Sequence, residues 1–258
     1  MDLVFGICNI AVAPLRSDKS DRAEMVSQLL FGDFVEVLGV EDNWCLVENA
    51  ADNYQGWMDF KQLTPISEKD YILLKEQFTL APLQFDNVIK CPDGSIIHLN
   101  PGSNLPFFSN ATCILGDATY SVEFTPLSSP INSEKIETTA KFFLNAPYLW
   151  GGRNILGIDC SGFTQVVFKL HGINLKRDAS MQAENGELVA FLTEGRLGDL
   201  AFFDNEEGKI THVGILLNNH EIIHASGKVR IDPIDDQGIY NKDLGKYTHK
   251  LRIIRRMF

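Results

Sequence analysis

Cys160, His212 and His224 are of the residue types, and at the spacing, that could together break an acyl bond. Cys160 stands in Asp159-Cys160-Ser161-Gly162-Phe163, directly ahead of Phe163, Val166, Val167 and Leu170. That i, i+3, i+4, i+7 spacing predicts a helix, with Asp159 as N-cap and Gly172 as its stop. Cys160 then falls at the first helical position, where unpaired backbone N–H groups and the helix dipole favour negative charge. A thiol there is expected to ionise more readily than a free cysteine, and the thiolate is the nucleophile. The competing reading is a small buried cysteine at a helix start, because free cysteines are usually buried and inert.

Two histidines favour the catalytic reading. Thr211-His212-Val213-Gly214-Ile215 and Ile222-Ile223-His224-Ala225-Ser226-Gly227 are β-branched runs separated by Asn218-Asn219-His220, a hairpin signal. The hairpin places His212 and His224 on neighbouring strands, and Gly214 on the His212 face is expected to leave open space beside the imidazole. A helix-start cysteine facing a strand histidine, with a third polar group orienting that histidine, is the papain-like arrangement.

The chain then resembles the NlpC/P60 cysteine peptidases. The resemblance rests on Tyr148-Leu149-Trp150-Gly151-Gly152-Arg153, Asp159-Cys160-Ser161-Gly162-Phe163, Arg177-Asp178 with Ser180 and Gln182, Gly198-Asp199-Leu200-Ala201-Phe202-Phe203, Thr211-His212-Val213-Gly214-Ile215 and His224, in that order. It implies Cys160 as nucleophile, His212 as base and His224 as the orienting third residue. It further implies cleavage of peptidoglycan stem peptides between γ-D-glutamate and the following diamino acid, in the manner of members that act in murein peptide recycling.

The resemblance also names a substrate-binding set. Tyr148, twelve positions before Cys160, is implied as a donor to the tetrahedral oxyanion together with the Cys160 backbone N–H. Asp178 is implied to pair with the free amine of the substrate's N-terminal L-alanine, a charge-assisted contact. Asp159 and Ser161 are candidates for the peptide backbone or the γ-D-glutamyl carboxylate, although Asp159 can equally act as a helix cap alone. Glu24 and Tyr54, from the first β module, are implied to help read the same amine, with Asp52 and Asp59 competing for the role. Ala179 stands where the recycling members resembled here commonly carry a serine, which bears on fine specificity.

These residues need a scaffold. The 258-residue chain, 45% hydrophobic, is long enough for more than one domain. The fold class expected is α+β: a papain-like NlpC/P60 catalytic domain over residues 132–258, preceded by two small SH3-like β-barrels. The first, over residues 1–65, rests on Phe34-Val35-Glu36-Val37-Leu38, Trp44-Cys45-Leu46-Val47 and Gly56-Trp57-Met58, and resembles a bacterial SH3 domain. The second, over residues 72–127, is more divergent, with Phe85-Asp86-Asn87-Val88-Ile89, Ile96-Ile97-His98-Leu99 and Thr119-Tyr120-Ser121-Val122. Joints are expected near Thr64-Pro65-Ile66-Ser67 and Pro126-Leu127-Ser128-Ser129-Pro130. A helix follows through Ile136, Ala140, Phe143 and Leu144.

Composition narrows the partners. The net charge of −11 disfavours nucleic acid and anionic wall polymers, while leaving small soluble peptides free to enter a cleft. No apolar stretch approaches the ~20 residues of a membrane span. The five cysteines form no C-x-x-C pair, which favours a reducing compartment over a disulfide framework or structural zinc site. The start, Met1-Asp2-Leu3-Val4-Phe5-Gly6, lacks a basic n-region, so the cytoplasm is expected, or a secreted or periplasmic address if a leader has been removed. No cofactor and no metal are called for, and oligomeric state is not indicated. His171 is expected to cap a helix C-terminus as a cation. His98 and His249 have no evident chemical company, and Arg252, Arg255 and Arg256 read as a solvated strand end. Two other readings compete with the peptidase: a catalytically inactive binder of wall peptides, and a zinc hydrolase using Cys160, His212 and His224 as ligands.

Overall fold

A computed structural model describes residues 4–258; residues 1–3, where the leader reading and the first segment begin, lie outside the described residues. The chain divides into two compact units that meet at Pro130 and Ile131.

In the first unit, alternating apolar residues build seven short strands: β1 (Phe5–Cys8), β2 (Val12–Arg16), β3 (Met25–Leu30), β4 (Phe34–Glu41), β5 (Trp44–Asn49), β6 (Gln55–Asp59) and β7 (Leu63–Pro65). They pair in the order β3-β2-β6-β5-β4-β1-β7 around Cys8, Leu15, Leu29, Val35, Val47 and Met58. Helix α1 (Glu68–Lys75) follows, its first turn capped by the Ser67 hydroxyl, which accepts from the Asp70 N–H at 3.1 Å. Strands β8 (Val88–Lys90), β9 (Ile96–His98), β10 (Thr112–Leu115) and β11 (Ala118–Val122) then form a second sheet, ordered β10-β11-β8-β9. The two sheets share a core in which Ile7 and Phe31 pack among Leu74, Ile89, Leu105 and Val122. Asn104 Nδ2 also donates to Asp33 Oδ1 at 2.7 Å across them.

The second unit opens with α2 (Ile136–Phe142) and a two-residue strand pair, β12 (Arg153–Asn154) and β13 (Gly157–Ile158). Helix α3 (Cys160–Leu170) and the one-turn helix α4 (Ala179–Gln182) come next. Seven strands complete it: β14 (Glu187–Val189), β15 (Leu200–Asp204), β16 (Ile210–Leu216), β17 (Glu221–Ser226), β18 (Lys228–Asp235), β19 (Gly238–Asn241) and β20 (Lys246–Arg256). Their order is β14-β20-β15-β16-β17-β18-β19, and a further β19–β20 pairing closes strands β15 to β20 into a six-stranded barrel.

Helix α3 begins at Cys160 and runs to Leu170, with Gly172 at φ +81° just beyond, as its spacing predicts. It has no solvated face, because every one of its residues is buried. Its apolar side packs on β16 and β17. Its polar side is roofed by the α3–α4 connection and α4: Gln165 Nε2 donates to Leu175 O at 2.9 Å and Thr164 Oγ1 to Gln182 Oε1 at 2.8 Å, while Gln182 Nε2 donates to Lys176 O at 2.8 Å. Buried amides of this kind must find partners, so the roof fixes the helix start in place. His171 departs from expectation. It is buried, with Nδ1 2.9 Å from Ile131 O and Nε2 3.0 Å from Thr139 Oγ1, and burial lowers its pKa, so it is a neutral tie rather than a capping cation.

Candidate active site

Asp159 caps α3 as predicted, its Oδ1 accepting from the Gly162 N–H at 2.7 Å. The carboxylate does more than cap. Oδ2 accepts from the Gly151 N–H at 2.8 Å, and Arg177 bonds both oxygens, at 3.2 and 2.5 Å. Arg177 also donates to Ser161 Oγ at 2.7 Å. Asp159, Ser161 and Arg177 are all buried, so they lock the nucleophile's turn. The candidate substrate contact at Asp159 is therefore corrected: both oxygens are already spent inside the protein. Gly162 is required here, since a Cβ on it would sit 2.2 Å from the Gly152 carbonyl oxygen.

Cys160 is only 5% exposed, and its sulfur accepts from the backbone N–H of Val213, the residue after His212. The thiol thus lies against β16, the strand that carries His212, across the α3–β16 contact. The expected ease of ionisation is reversed. Burial, followed by the Asp159 charge, pushes the Cys160 thiol up to about 12, against the Val213 and Ser161 N–H groups and Arg177. The helix start cannot offset the loss of water around a charged sulfur.

The β16–β17 hairpin forms as predicted, pairing Gly214 with His224. The room expected beside Gly214 is filled. A Cβ there would lie 2.8 Å from His224 Cβ, so the glycine lets the second histidine's strand come close. His212 Nε2 is 2.9 Å from His224 Nδ1, and His224 Nε2 is 3.1 Å from Asp232 Oδ2. On β18, Asp232 sits opposite Ile222, two residues from the Arg230 that pairs with His224, so it reaches His224 diagonally. Arg230 holds it in turn, with Nε 2.7 Å from Oδ2 and an Nη donating to Oδ1 at 2.8 Å.

This line fixes every proton. Burial pushes the Asp232 carboxyl up, but the bonds from His224 and Arg230 outweigh it and hold the pKa below the ordinary value. An ionised carboxylate only accepts, so His224 Nε2–H donates to it and His224 Nδ1 is left as an acceptor. His212 Nε2–H must then donate to His224, which leaves the His212 Nδ1 lone pair for the thiol. Burial and the neighbouring His224 and His249 lower the His212 pKa well below its usual value, so the imidazole rests neutral.

Tyr148 stands beside this centre. Burial, then Cys160 and Asp159, push its phenol up to about 12, so it keeps a proton to donate. Asp178 precedes α4, half-buried. Glu24, exposed, and Tyr54, half-buried, belong to the first unit. The residues competing with them are committed locally: Asp52 accepts from Asn49 Nδ2 and the Tyr54 N–H at 2.8 and 3.0 Å, and Asp59 from the Lys61 N–H at 2.9 Å.

Sequence reasoning missed Asp232, Arg177 and His249. Asp232 was signalled only by alternation with Arg230 on the strand after His224, and Arg177 only by its place beside Asp178. His249 is not alone: its ring stacks on His212 at 4.1 Å between centroids and 27° between planes. The terminal arginines are also more than a solvated end, since Arg256 makes two bonds to Asp199, at 2.8 and 2.7 Å.

A thiol at a helix start, an imidazole on an antiparallel strand and a buried polar relay behind it define a papain-like cysteine peptidase. Comparison with known proteins agrees. The NlpC/P60 family model matches residues 145–248, and the bacterial dipeptidyl-peptidase Sh3 domain matches residues 15–63. The γ-D-glutamyl-L-lysine dipeptidyl-peptidase of Bacillus subtilis is 32% identical over 235 residues, spanning 84% of this chain and 78% of that protein. Dipeptidyl-peptidase 6 of Lysinibacillus sphaericus is 25% identical over 262 residues, 90% of this chain and 93% of that one. Among solved structures, an NlpC/P60 family protein from Bacillus cereus shares the fold at a TM-score of 0.80 and 21% identity, covering 98% of this chain and 99% of that one. The chain belongs to the NlpC/P60 family and is a cysteine peptidase with an SH3-like domain ahead of its catalytic domain.

Proposed function

We propose that this peptidase cuts the γ-D-glutamyl–diamino acid bond of peptidoglycan stem peptides bearing a free N-terminal L-alanine, releasing L-Ala-D-Glu, in murein peptide recycling. The observation that carries the reading is the relay from His212 through His224 to Asp232, set behind a helix-start cysteine whose sulfur accepts from the N–H of the residue after His212. Similarity to a γ-D-glutamyl-L-lysine dipeptidyl-peptidase supports the bond chosen.

Cys160 Sγ attacks the γ-carbonyl carbon while His212 Nδ1 takes the thiol proton. The oxyanion accepts from the Cys160 backbone N–H and the Tyr148 hydroxyl. Collapse expels the diamino acid's amine, which receives the proton from His212, and leaves a thioester. Water, deprotonated by His212, then hydrolyses the thioester and returns the proton to sulfur. Asp178 reads the alanyl ammonium, and Ser161 supports the glutamyl portion. Residues 72–127 act as a divergent second SH3-like module. Five free thiols support a cytoplasmic address. The competing reading, an inactive wall-peptide binder, does not account for a relay that orders His212 and His224 through a buried carboxylate.

Mass spectrometry of products from defined stem peptides tests this. L-Ala-D-Glu from L-Ala-γ-D-Glu-diamino acid, absent with Cys160→Ala, is the expected result. Cleavage at any other bond would overturn the specificity.

A further inference from the structure

We propose that His212, His224 and His249 bind one divalent transition-metal ion of the zinc class, and that the bound ion switches the peptidase off. One nitrogen from each of the three rings lies within 4.8 Å of the others. His212 Nε2 and His224 Nδ1 are 2.9 Å apart, with their ring planes at 86°. Two Zn–N bonds of about 2.0–2.1 Å at a tetrahedral angle put the nitrogens roughly 3.3 Å apart, so the pair must part slightly and both rings must swing until their lone pairs converge on the ion. The Asp232 carboxylate behind His224 completes a carboxylate–histidine–metal arrangement, which orients the ring and raises its basicity.

His249 is the movable member. It lies flat on His212 and must turn about its ring axis to aim a nitrogen at the ion. It is only half-buried and lines a cleft of about 820 Å³, and the turn must release the 2.9 Å bond between its Nδ1 and Thr248 Oγ1. His249 is the member of the three that borders this cleft, and the cleft's charge suits a cation: Asp204, Glu206 and Asp236 line it against Lys250 alone among basic residues. Asp204 Oδ1 is moreover buried there with no hydrogen-bond partner among the described residues.

The ion would act by inverting a tautomer. With metal on His212 Nε2, the proton that sat there moves to Nδ1, the atom that must accept the thiol proton. The thiol then faces an N–H instead of a lone pair, no attack follows, and no proton is lost or gained.

The test uses the full chain, stripped with chelator. Zn2+ is titrated calorimetrically, Co2+ is followed by its visible absorption, and peptide cleavage is read in parallel. One ion per chain is expected, with loss of cleavage tracking occupancy and recovery on adding EDTA. His249→Phe keeps the flat ring but removes the nitrogen, and is expected to weaken binding by at least ~100-fold, the upper end for changes around a metal site. Cys160→Ala should bind as the parent does, and the Co2+ spectrum should lack a thiolate charge-transfer band. Absence of binding, unchanged binding in His249→Phe, or loss of binding in Cys160→Ala would each overturn the proposal. Binding is read independently of turnover, so failure of the metal site and failure of the proposed peptide specificity are distinguishable.

Discussion

At the scale of single residues, the resting site holds a neutral thiol beside a neutral imidazole, and this sets its pH behaviour. Protonation of His212 removes the base, so kcat/KM is expected to fall on the acid side with an apparent pKa below the ordinary histidine value of about 6.5. No limb from thiol ionisation should appear near neutrality, because that group is pushed up to about 12. With a free-amine substrate, an alkaline limb near the α-amino pKa of about 8 is expected as the ammonium is lost. A pH–rate profile checks all three. For the same reason, Cys160 should react slowly with iodoacetamide at neutral pH in the absence of peptide, measured by mass shift. Asp232→Ala should lower kcat by roughly 10–100-fold, the range for a group that orients another, by freeing both histidines to adopt the wrong tautomer. Nucleophile and base were legible because each sits in a short motif whose periodicity is local. The carboxylate was not, because only the register of a third strand brings Asp232 to His224.

At the scale of elements, the site is a helix start pressed on a three-strand meander, and two devices hold it there. Gly214 lets β17 approach β16, so Gly214→Ala should displace His224 and lower kcat by at least about tenfold with little change in KM, read by steady-state kinetics. Arg177 is the other device. Breaking a buried ion pair by removing one partner costs about 3–5 kcal/mol, so Arg177→Ala should lower the urea midpoint markedly. Both the hairpin and α3 were readable from period and turn residues. Two features escaped: the total burial of α3, and the lowering of its thiol's acidity that follows. An N-cap and an apolar stripe describe one face of a helix, whereas burial depends on the α3–α4 roof that covers the opposite face.

At the scale of the whole molecule, the sequence divided the chain into three modules, and contacts divide it into two units at Pro130 and Ile131. The shared core of the two N-terminal sheets was hidden because Ile7 and Phe31 look like interior residues of one small barrel, and nothing local says they also face another. If Asp178 reads the substrate's ammonium, N-acetylating the peptide should slow cleavage severely. Equal rates for blocked and free peptides would show that no amine is read. The barrel of the second unit has a further consequence. Because β20 bonds to both β15 and β19, strands β15 to β20 present no row of unpaired backbone groups to another chain. The sheet that carries the histidines keeps an open edge at the three-residue β14, a template too short to favour the edge-to-edge growth that seeds fibrils, so this part of the protein should stay dispersed even when crowded.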